Sequence, residues 1–183
     1  MAKDQKRERI LAAATAVFAE HDFHQVQVSH VATRAGVGKG TVYLYFPSKD
    51  DLHQAALEAS LQRLGQDVEQ AAGAEAPAEA VLREIVLRII KFFWKRQHLM
   101  TLVQRYERRG SRNPRDRRHR ALKAVDAVLA RHGLGGNGVR HLDAAFLLGL
   151  SRAAILEHSA SDKPEAVAQH VVDVYLHGVA RSA

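Results

Sequence analysis

The sequence predicts an all-α protein of about nine helices. Ala, Leu, Arg, Glu and Gln, which favour helices, recur throughout its 183 residues. Apolar residues repeatedly fall three and four positions apart, the spacing that gathers them on one helix face. No segment alternates apolar and polar residues for long enough to indicate a strand, because the best candidate covers only positions 26–28.

The first four predicted helices have clear boundary signals. We place them at about 4–20, 28–35, 39–45 and 48–70. Gly36 can end the second helix in the left-handed conformation, and Pro47 ends the third because the residue before a proline resists helical angles. Ser48 can cap the fourth helix, with Asp51 at the capping-box position.

A weakly structured segment, AAGAEAPAEA, follows the fourth helix, and Gly73 and Pro77 interrupt it. Five further helices are expected at about 78–95, 98–109, 114–132, 138–159 and 164–180. The predicted domains are residues 1–60 and residues 61–183.

The net charge of +7 is concentrated in one stretch, residues 105–123, which holds nine Lys or Arg against two Asp or Glu. Cysteine is absent, which excludes disulfides and a thiol nucleophile. The charged start of the chain and the lack of a run of ~20 apolar residues predict a cytoplasmic protein that does not span a membrane.

The stretch AGVGKGTVYLYF, residues 35–46, resembles a phosphate-binding loop only superficially. A P-loop needs a glycine where Thr33 stands, and the dinucleotide fingerprint has different spacing and follows a strand. A short helix, a tight turn at glycine and a second short helix instead indicate a helix-turn-helix at residues 27–46. We expect Val31, Val42 and Phe46 to point inward.

The second of these short helices should present a polar face that can enter the major groove of DNA. We expect its outward residues to be Lys39, Gly40, Thr41, Leu44 and Tyr45, with Tyr43 at the edge. Gly40 would let the helix backbone approach the duplex closely.

Residues 28–52, VSHVATRAGVGKGTVYLYFPSKDDL, resemble the DNA-binding domain of the TetR family of transcriptional regulators. The resemblance includes the preceding segment from Ala14 to Glu20 and implies that Tyr43 and Lys49 contact phosphates. Two positions depart from the family pattern, since Gln27 replaces a usual Thr cap and Gly38 a common Ser. The DNA-binding residues implied are Ser29, Lys39, Gly40, Thr41, Tyr43, Leu44, Tyr45 and Lys49.

The resemblance further implies that residues 61–183 form a helical bundle for ligand binding and dimerisation. The pocket candidates are apolar residues of the middle helices: Ile89, Phe92, Phe93, Met100, Val103, Tyr106, Leu122, Val125 and Phe146. The dimer candidates are small or apolar residues of the last two helices: Leu142, Ala145, Gly149, Ala153, Val167, Val171, Val174 and Tyr175.

The basic stretch 105–123 allows three interpretations. It can be a solvated loop and helix face, or some of its arginines can bind an anionic ligand such as an acyl-CoA. The third is that the stretch makes an additional contact with DNA or a partner. The arginines concerned are Arg105, Arg108, Arg109, Arg112, Arg117, Arg118 and Arg120.

The function predicted is a ligand-responsive transcriptional regulator and not an enzyme. As a homodimeric repressor it would bind a palindromic operator in double-stranded DNA, and a hydrophobic or anionic small-molecule inducer would release it. An activator, or a regulator that needs a co-ligand, is the alternative; an α-helical enzyme or a protein-interaction module is more distant. We predict no catalytic residue, metal or cofactor.

Overall fold

The computed structural model describes residues 2–94, 99, 114–134 and 140–178. These residues form eight helices and no strand, which confirms the all-α class. The helices are α1 Ala2–Glu20, α2 Val28–Ala35, α3 Lys39–Tyr45, α4 Lys49–Ala72, α5 Ala78–Phe93, α6 Pro114–Arg131, α7 Arg140–Glu157 and α8 Pro164–His177.

Two compact units divide the chain, Met1–Arg63 and Leu64–Ala183. Helix α4 contributes residues to both units. The first unit contains α1, α2, α3 and the start of α4 around one apolar core. That core is built from Ile10, Ala13, Ala14, Val17, Val26, Val28, Val31, Ala32, Ala35, Val42, Phe46, Leu52 and Ala56.

Ser48 caps the start of α4, as predicted. The backbone N–H of Asp51 donates to Ser48 Oγ at 3.0 Å, and Ser48 Oγ donates to Asp51 Oδ2 at 2.6 Å. The carboxylates of Asp50 and Asp51 also lie in the first turn, where the helix dipole favours negative charge. These interactions fix where α4 begins.

In the second unit, α5 packs against α6, α7 and α8, and α7 packs against α6 and α8. Helix α5 buries a stripe that includes Leu82, Ile85, Val86 and Ile90, which explains its central position. The Arg131 guanidinium donates to the carbonyl oxygens of Ala72 and Ala74 at 3.0 and 3.1 Å, so it satisfies acceptors at the end of α4.

The predicted helix bounds agree with the structure to within about three residues where both can be compared. Of the predicted helix at 98–109, only Leu99 lies among the described residues, and it is helical and buried. Residues 105–113 of the basic stretch likewise lie outside them. No helix in the described part of the chain is both long enough and apolar enough to cross a membrane.

Candidate nucleic-acid interface

The turn between α2 and α3 is made by Gly36, whose φ of 63° is left-handed. The Gly36 N–H donates to the Thr33 carbonyl at 3.1 Å, and the Val37 N–H donates to the Ala32 carbonyl at 3.0 Å. These bonds satisfy two of the acceptors that the end of α2 leaves open. A Cβ at Gly36 would lie 3.0 Å from Arg9 Nη2, so any other residue there is strained in conformation and in space.

Arg9 of α1 braces this turn. Its Nη2 donates to the Ala35 carbonyl at 2.6 Å and to the Gly36 carbonyl at 3.4 Å. A cation at the C-terminus of α2 also complements the helix dipole. This contact of Arg9 could not be predicted from the sequence, because a bond between residues 26 positions apart leaves no local pattern.

A second link joins α1 to α2. Arg34 Nη1 donates to both carboxylate oxygens of Glu20, at 2.9 and 2.8 Å. This hydrogen bond to Arg34, together with the charge of the guanidinium, lowers the pKa of the Glu20 carboxyl. Both side chains are about half exposed, so the pair orients α2 more than it stabilises the unit.

Helix α3 is anchored by its inner face. Val42 is 1% exposed and Phe46 4%, and both belong to the core of the first unit. The Thr41 N–H donates to the Gly38 carbonyl at 2.9 Å, which begins the helix. Gly38 provides no side-chain cap for α3, as expected from the absence of a hydroxyl there.

The outer face of α3 contains Lys39, Gly40, Tyr43 and Leu44, all exposed. Leu44 is 84% exposed. Lys39 and Tyr43 have no hydrogen-bond or ion-pair partner among the described residues. This face therefore presents an ammonium, a phenol and an apolar side chain to an external partner.

One of the two tyrosines of α3 differs from its predicted placement. Tyr43, expected at the edge of the outer face, is exposed, whereas Tyr45 was expected to point outward and is half-buried against the core. Helix geometry explains the difference, because Tyr45 lies three residues after Val42 and so turns toward the same side. Thr41 is also half-buried.

Among the described residues, neither a close contact nor the backbone conformation requires glycine at position 40. A Cβ built there would have no atom within 4 Å, and its φ is not left-handed. Glycine costs helix stability relative to alanine. Gly40 therefore leaves open space on the outer face of α3.

The remaining predicted contacts lie at the starts of α2 and α4. Ser29 is half-buried, and its Oγ donates to Gln27 Oε1 at 3.3 Å. Gln27 makes no side-chain capping bond, as expected from the loss of a Thr at that position. Lys49 Nζ lies 4.4 Å from the ring centroid of Phe23, a cation–π arrangement.

Phe23 belongs to a small aromatic cluster that sequence reasoning did not identify. Its ring centroid lies 6.2 Å from that of Phe18 and 4.9 Å from that of His53. The cluster fixes the Phe23 ring beneath the ammonium of Lys49. The sequence does show an aromatic residue, Phe23, in the loop before the helix-turn-helix. Its contact with Lys49 could not be inferred from the spacing of the two residues.

The pocket candidates of the second unit divide into four groups. Phe93 and Val125 are buried, and Ile89, Phe92 and Leu122 are half-buried. Phe146 is 58% exposed, so the prediction that it lines an internal pocket is wrong: its position on α7 turns it to the surface. Met100, Val103 and Tyr106 lie outside the described residues.

Most of the dimer candidates are accessible. Leu142, Gly149 and Ala153 are exposed on α7, whereas Val171 is 4% exposed and belongs to the core of its own subunit, contrary to its predicted interface role. The half-buried candidates are Ala145 on α7 and Val167, Val174 and Tyr175 on α8.

Tyr175 is the most perturbed titratable group in the described part of the second unit. Burial raises the pKa of its phenol to about 12, and the carboxylates of Asp143 and Asp126 add to the shift. One oxygen of each carboxylate is buried without a hydrogen-bond partner. A neutral phenol is therefore favoured at this point of the bundle.

Residues 10–56, which include both helices of the helix-turn-helix, match the family described as "Bacterial regulatory proteins, tetR family". The fatty acid metabolism regulator protein of Bacillus subtilis (strain 168) is 37% identical over 84 residues, 44% of this chain and 43% of that protein. The transcriptional repressor KstR of Mycolicibacterium smegmatis is 39% identical over 71 residues, 39% of this chain and 35% of that protein. The matched segment thus spans less than half the length of these curated relatives.

Similarity to a solved structure extends over both units. The transcriptional regulator FadR from Bacillus subtilis, crystallised in complex with stearoyl-CoA, aligns with a TM-score of 0.66 and 21% identity. The alignment covers 94% of this chain and 98% of that chain. At this identity the similarity establishes the fold.

Proposed function

We propose that this chain is a transcriptional regulator of the TetR family that binds a palindromic operator through α3. The outer face of α3 carries this proposal. Lys39, Gly40, Tyr43 and Leu44 are exposed there, while Val42 and Phe46 hold the helix on the core. A helix fixed in this way can enter a major groove with its N-terminal residues against base edges.

The contacts divide into two kinds. Tyr43 and Lys49 bind phosphates and set the register of the protein on the duplex, with Ser29 near the backbone at the start of α2. Lys39, Gly40, Thr41, Leu44 and the edge of Tyr45 face the bases or the adjacent backbone. Phosphate contacts position a protein, whereas base contacts give it sequence preference.

Binding of two half-sites requires two copies of α3, so we infer a homodimer. The surface that supports it is an exposed stripe on α7 with the spacing of one helix face. This dimer stripe consists of Leu142, Phe146, Gly149, Ala153 and Leu156. A Cβ at Gly149 would meet no atom within 4 Å, which leaves room for the close approach of a second helix.

Selection from a random duplex library at about physiological salt tests the proposal. The purified protein should enrich a palindrome, because a symmetric dimer binds two inverted half-sites. Tyr43→Phe should weaken binding to all sequences about equally, whereas Lys39→Ala should change which bases are enriched. Enrichment of no sequence by the wild-type protein would contradict the proposal.

The second unit is proposed to bind a small-molecule inducer among the apolar residues of α5 and α6. FadR, a protein of the same fold, holds stearoyl-CoA, and the basic stretch 105–123 offers cations for an anionic group. An acyl-CoA is therefore the first class of inducer to test. Its binding would release the operator if it favours a conformation that binds DNA poorly, and repression is the direction we propose.

Trp94 provides the measurement for this ligand. It is the single tryptophan, it follows Phe92 and Phe93 at the end of α5, and it stacks on His158 with ring centroids 3.7 Å apart. Stearoyl-CoA should change its emission and release labelled operator at the same concentrations, whereas coenzyme A should do neither. Release without any change at Trp94 would place the ligand elsewhere.

A further inference from the structure

The most outward line of α3 is apolar. Gly40 and Leu44 lie one helical turn apart, on the side of α3 opposite the buried Val42. Lys39 and Tyr43 lie to one side of this line and Thr41 to the other. The part of α3 that reaches furthest from the core therefore offers no hydrogen-bonding side chain.

No interaction among the residues that the structure describes explains why a leucine stands at position 44. Its side chain is 84% exposed, and the core beneath α3 is filled by Val42 and Phe46. A single exposed leucine is common on protein surfaces. Here, however, Leu44 lies one helical turn from Gly40. Because Gly40 has no side chain, the outer side of α3 could approach a partner closely at this point.

The chemistry of the major groove limits what Leu44 can distinguish. Base edges there present hydrogen-bond donors and acceptors and one apolar group, the 5-methyl of thymine. A leucine side chain can neither donate nor accept a hydrogen bond, so only the methyl group gives it a favourable contact.

We propose that Leu44 is a specificity-determining residue that selects thymine by packing against its 5-methyl group. This inference rests on the proposed DNA-binding function and adds the chemistry of one base contact. Gly40 contributes by letting the helix approach until that contact forms. Leu44 thus favours thymine at one or more positions of each half-site.

Uracil substitution isolates the methyl group, because deoxyuridine differs from thymidine only by that group. The probe is the duplex enriched from the random library, with each thymine replaced in turn by uracil. Affinity is measured by fluorescence anisotropy for the wild type, Leu44→Ala and Lys39→Ala. Circular dichroism checks that each variant is folded, as expected for exposed positions.

At one or more positions per half-site, removing the methyl group should weaken wild-type binding about fourfold, the effect of burying one methyl. Leu44→Ala should bind the thymine and uracil duplexes equally at those positions. Lys39→Ala, the matched control, should bind more weakly but keep the fourfold preference for thymine. Leu44→Met, which keeps an apolar side chain of similar size, should retain part of it.

Two results would overturn the inference, and they differ in what else they imply. If uracil has the same effect on the wild type and Leu44→Ala at every position, Leu44 does not read the methyl, while DNA binding itself stands. If the wild type enriches no duplex at all, the proposed function fails together with this inference.

Discussion

Phe23, a residue of the loop before the helix-turn-helix, contacts Lys49, which we propose binds a DNA phosphate. The ring of Phe23 holds the ammonium of Lys49, with 4.4 Å from Nζ to the ring centroid. An exposed cation–π contact contributes about 0.5–1 kcal/mol. Phe23 is thus a positioning residue for a proposed phosphate contact.

Phe23→Leu should therefore weaken operator binding by about two- to fivefold, the equivalent of that contact. Phe23→Tyr keeps the ring face and should bind like the wild type. In a Lys49→Met background, Phe23→Leu should have no further effect in anisotropy titrations. An equal loss with and without Lys49 would show that Phe23 acts through the fold alone.

Burial raises the pKa of the Tyr175 phenol from the ordinary 10 to about 12, and the charges of Asp143 and Asp126 add to the shift. A raised folded-state pKa means that the neutral phenol stabilises the fold fully below pH 10 and that this contribution is lost as pH rises through about 12. Urea titrations between pH 9 and 12 should show the loss.

Tyr175→Phe cannot ionise and should lose less stability over that pH range. In absorbance titrations it should also lack the tyrosinate step near pH 12. An unchanged titration curve for Tyr175→Phe would contradict the placement of the phenol near the two carboxylates.

Among the helices, α3 has a glycine, Gly40, on the outer face that we propose contacts DNA. Leucine is a better helix former than glycine by up to about 1 kcal/mol, and a side chain at this position meets only open space. Gly40→Leu should thus leave the melting temperature unchanged or raise it. DNA binding should fall at least tenfold, because the new side chain keeps the helix away from the groove.

Ala127→Leu is the control for this variant, since Ala127 is exposed on α6 in the second unit. It should change neither the melting temperature nor the affinity appreciably. If Gly40→Leu bound the operator as tightly as Ala127→Leu, the outer face of α3 would not be the DNA-binding surface.

The elements of the first unit could be predicted from sequence because their signals are local. Gly36 in the turn, Pro47 after α3 and the Ser48 cap of α4 each lie within four residues of the feature they determine. The phase of a short helix is less certain at its ends, which is why Tyr45 was expected to point outward and is half-buried. Contacts between distant segments, such as Arg9 with Ala35, had no sequence signal.

The second unit was predicted less well for a related reason. Apolar spacing identifies a helix and its apolar residues, but it does not say whether such a residue faces the core or a second subunit. Phe146 was assigned to a pocket and is exposed, whereas Val171 was assigned to an interface and is buried. Only the packing of α5, α7 and α8 decides between these surfaces.

At the scale of the whole molecule, the proposed regulator must be a dimer to bind two half-sites. Phe146→Glu places a charge in the centre of the dimer stripe, where burial would require its desolvation. The variant should therefore be monomeric in light scattering at concentrations where the wild type is dimeric. Its helical circular dichroism should be unchanged, because Phe146 is not part of the core.

Ala127→Glu adds the same charge to an exposed site on α6 and should remain dimeric. Phe146→Glu should also bind a single half-site as the wild-type subunit does, but lose affinity for the full palindrome. A dimeric Phe146→Glu would move the interface away from α7.

We propose that α3 gives this protein sequence-specific affinity for a DNA duplex. The most direct test is the dissociation constant for the enriched palindrome and for a shuffled duplex of equal length, measured across a range of salt concentrations. We predict that the palindrome binds at least about a thousandfold more tightly near physiological salt and that both affinities fall steeply as salt rises. Equal affinities for the palindrome and the shuffled duplex at every salt concentration would contradict this proposal, because the protein would then recognise only the charge of the DNA backbone.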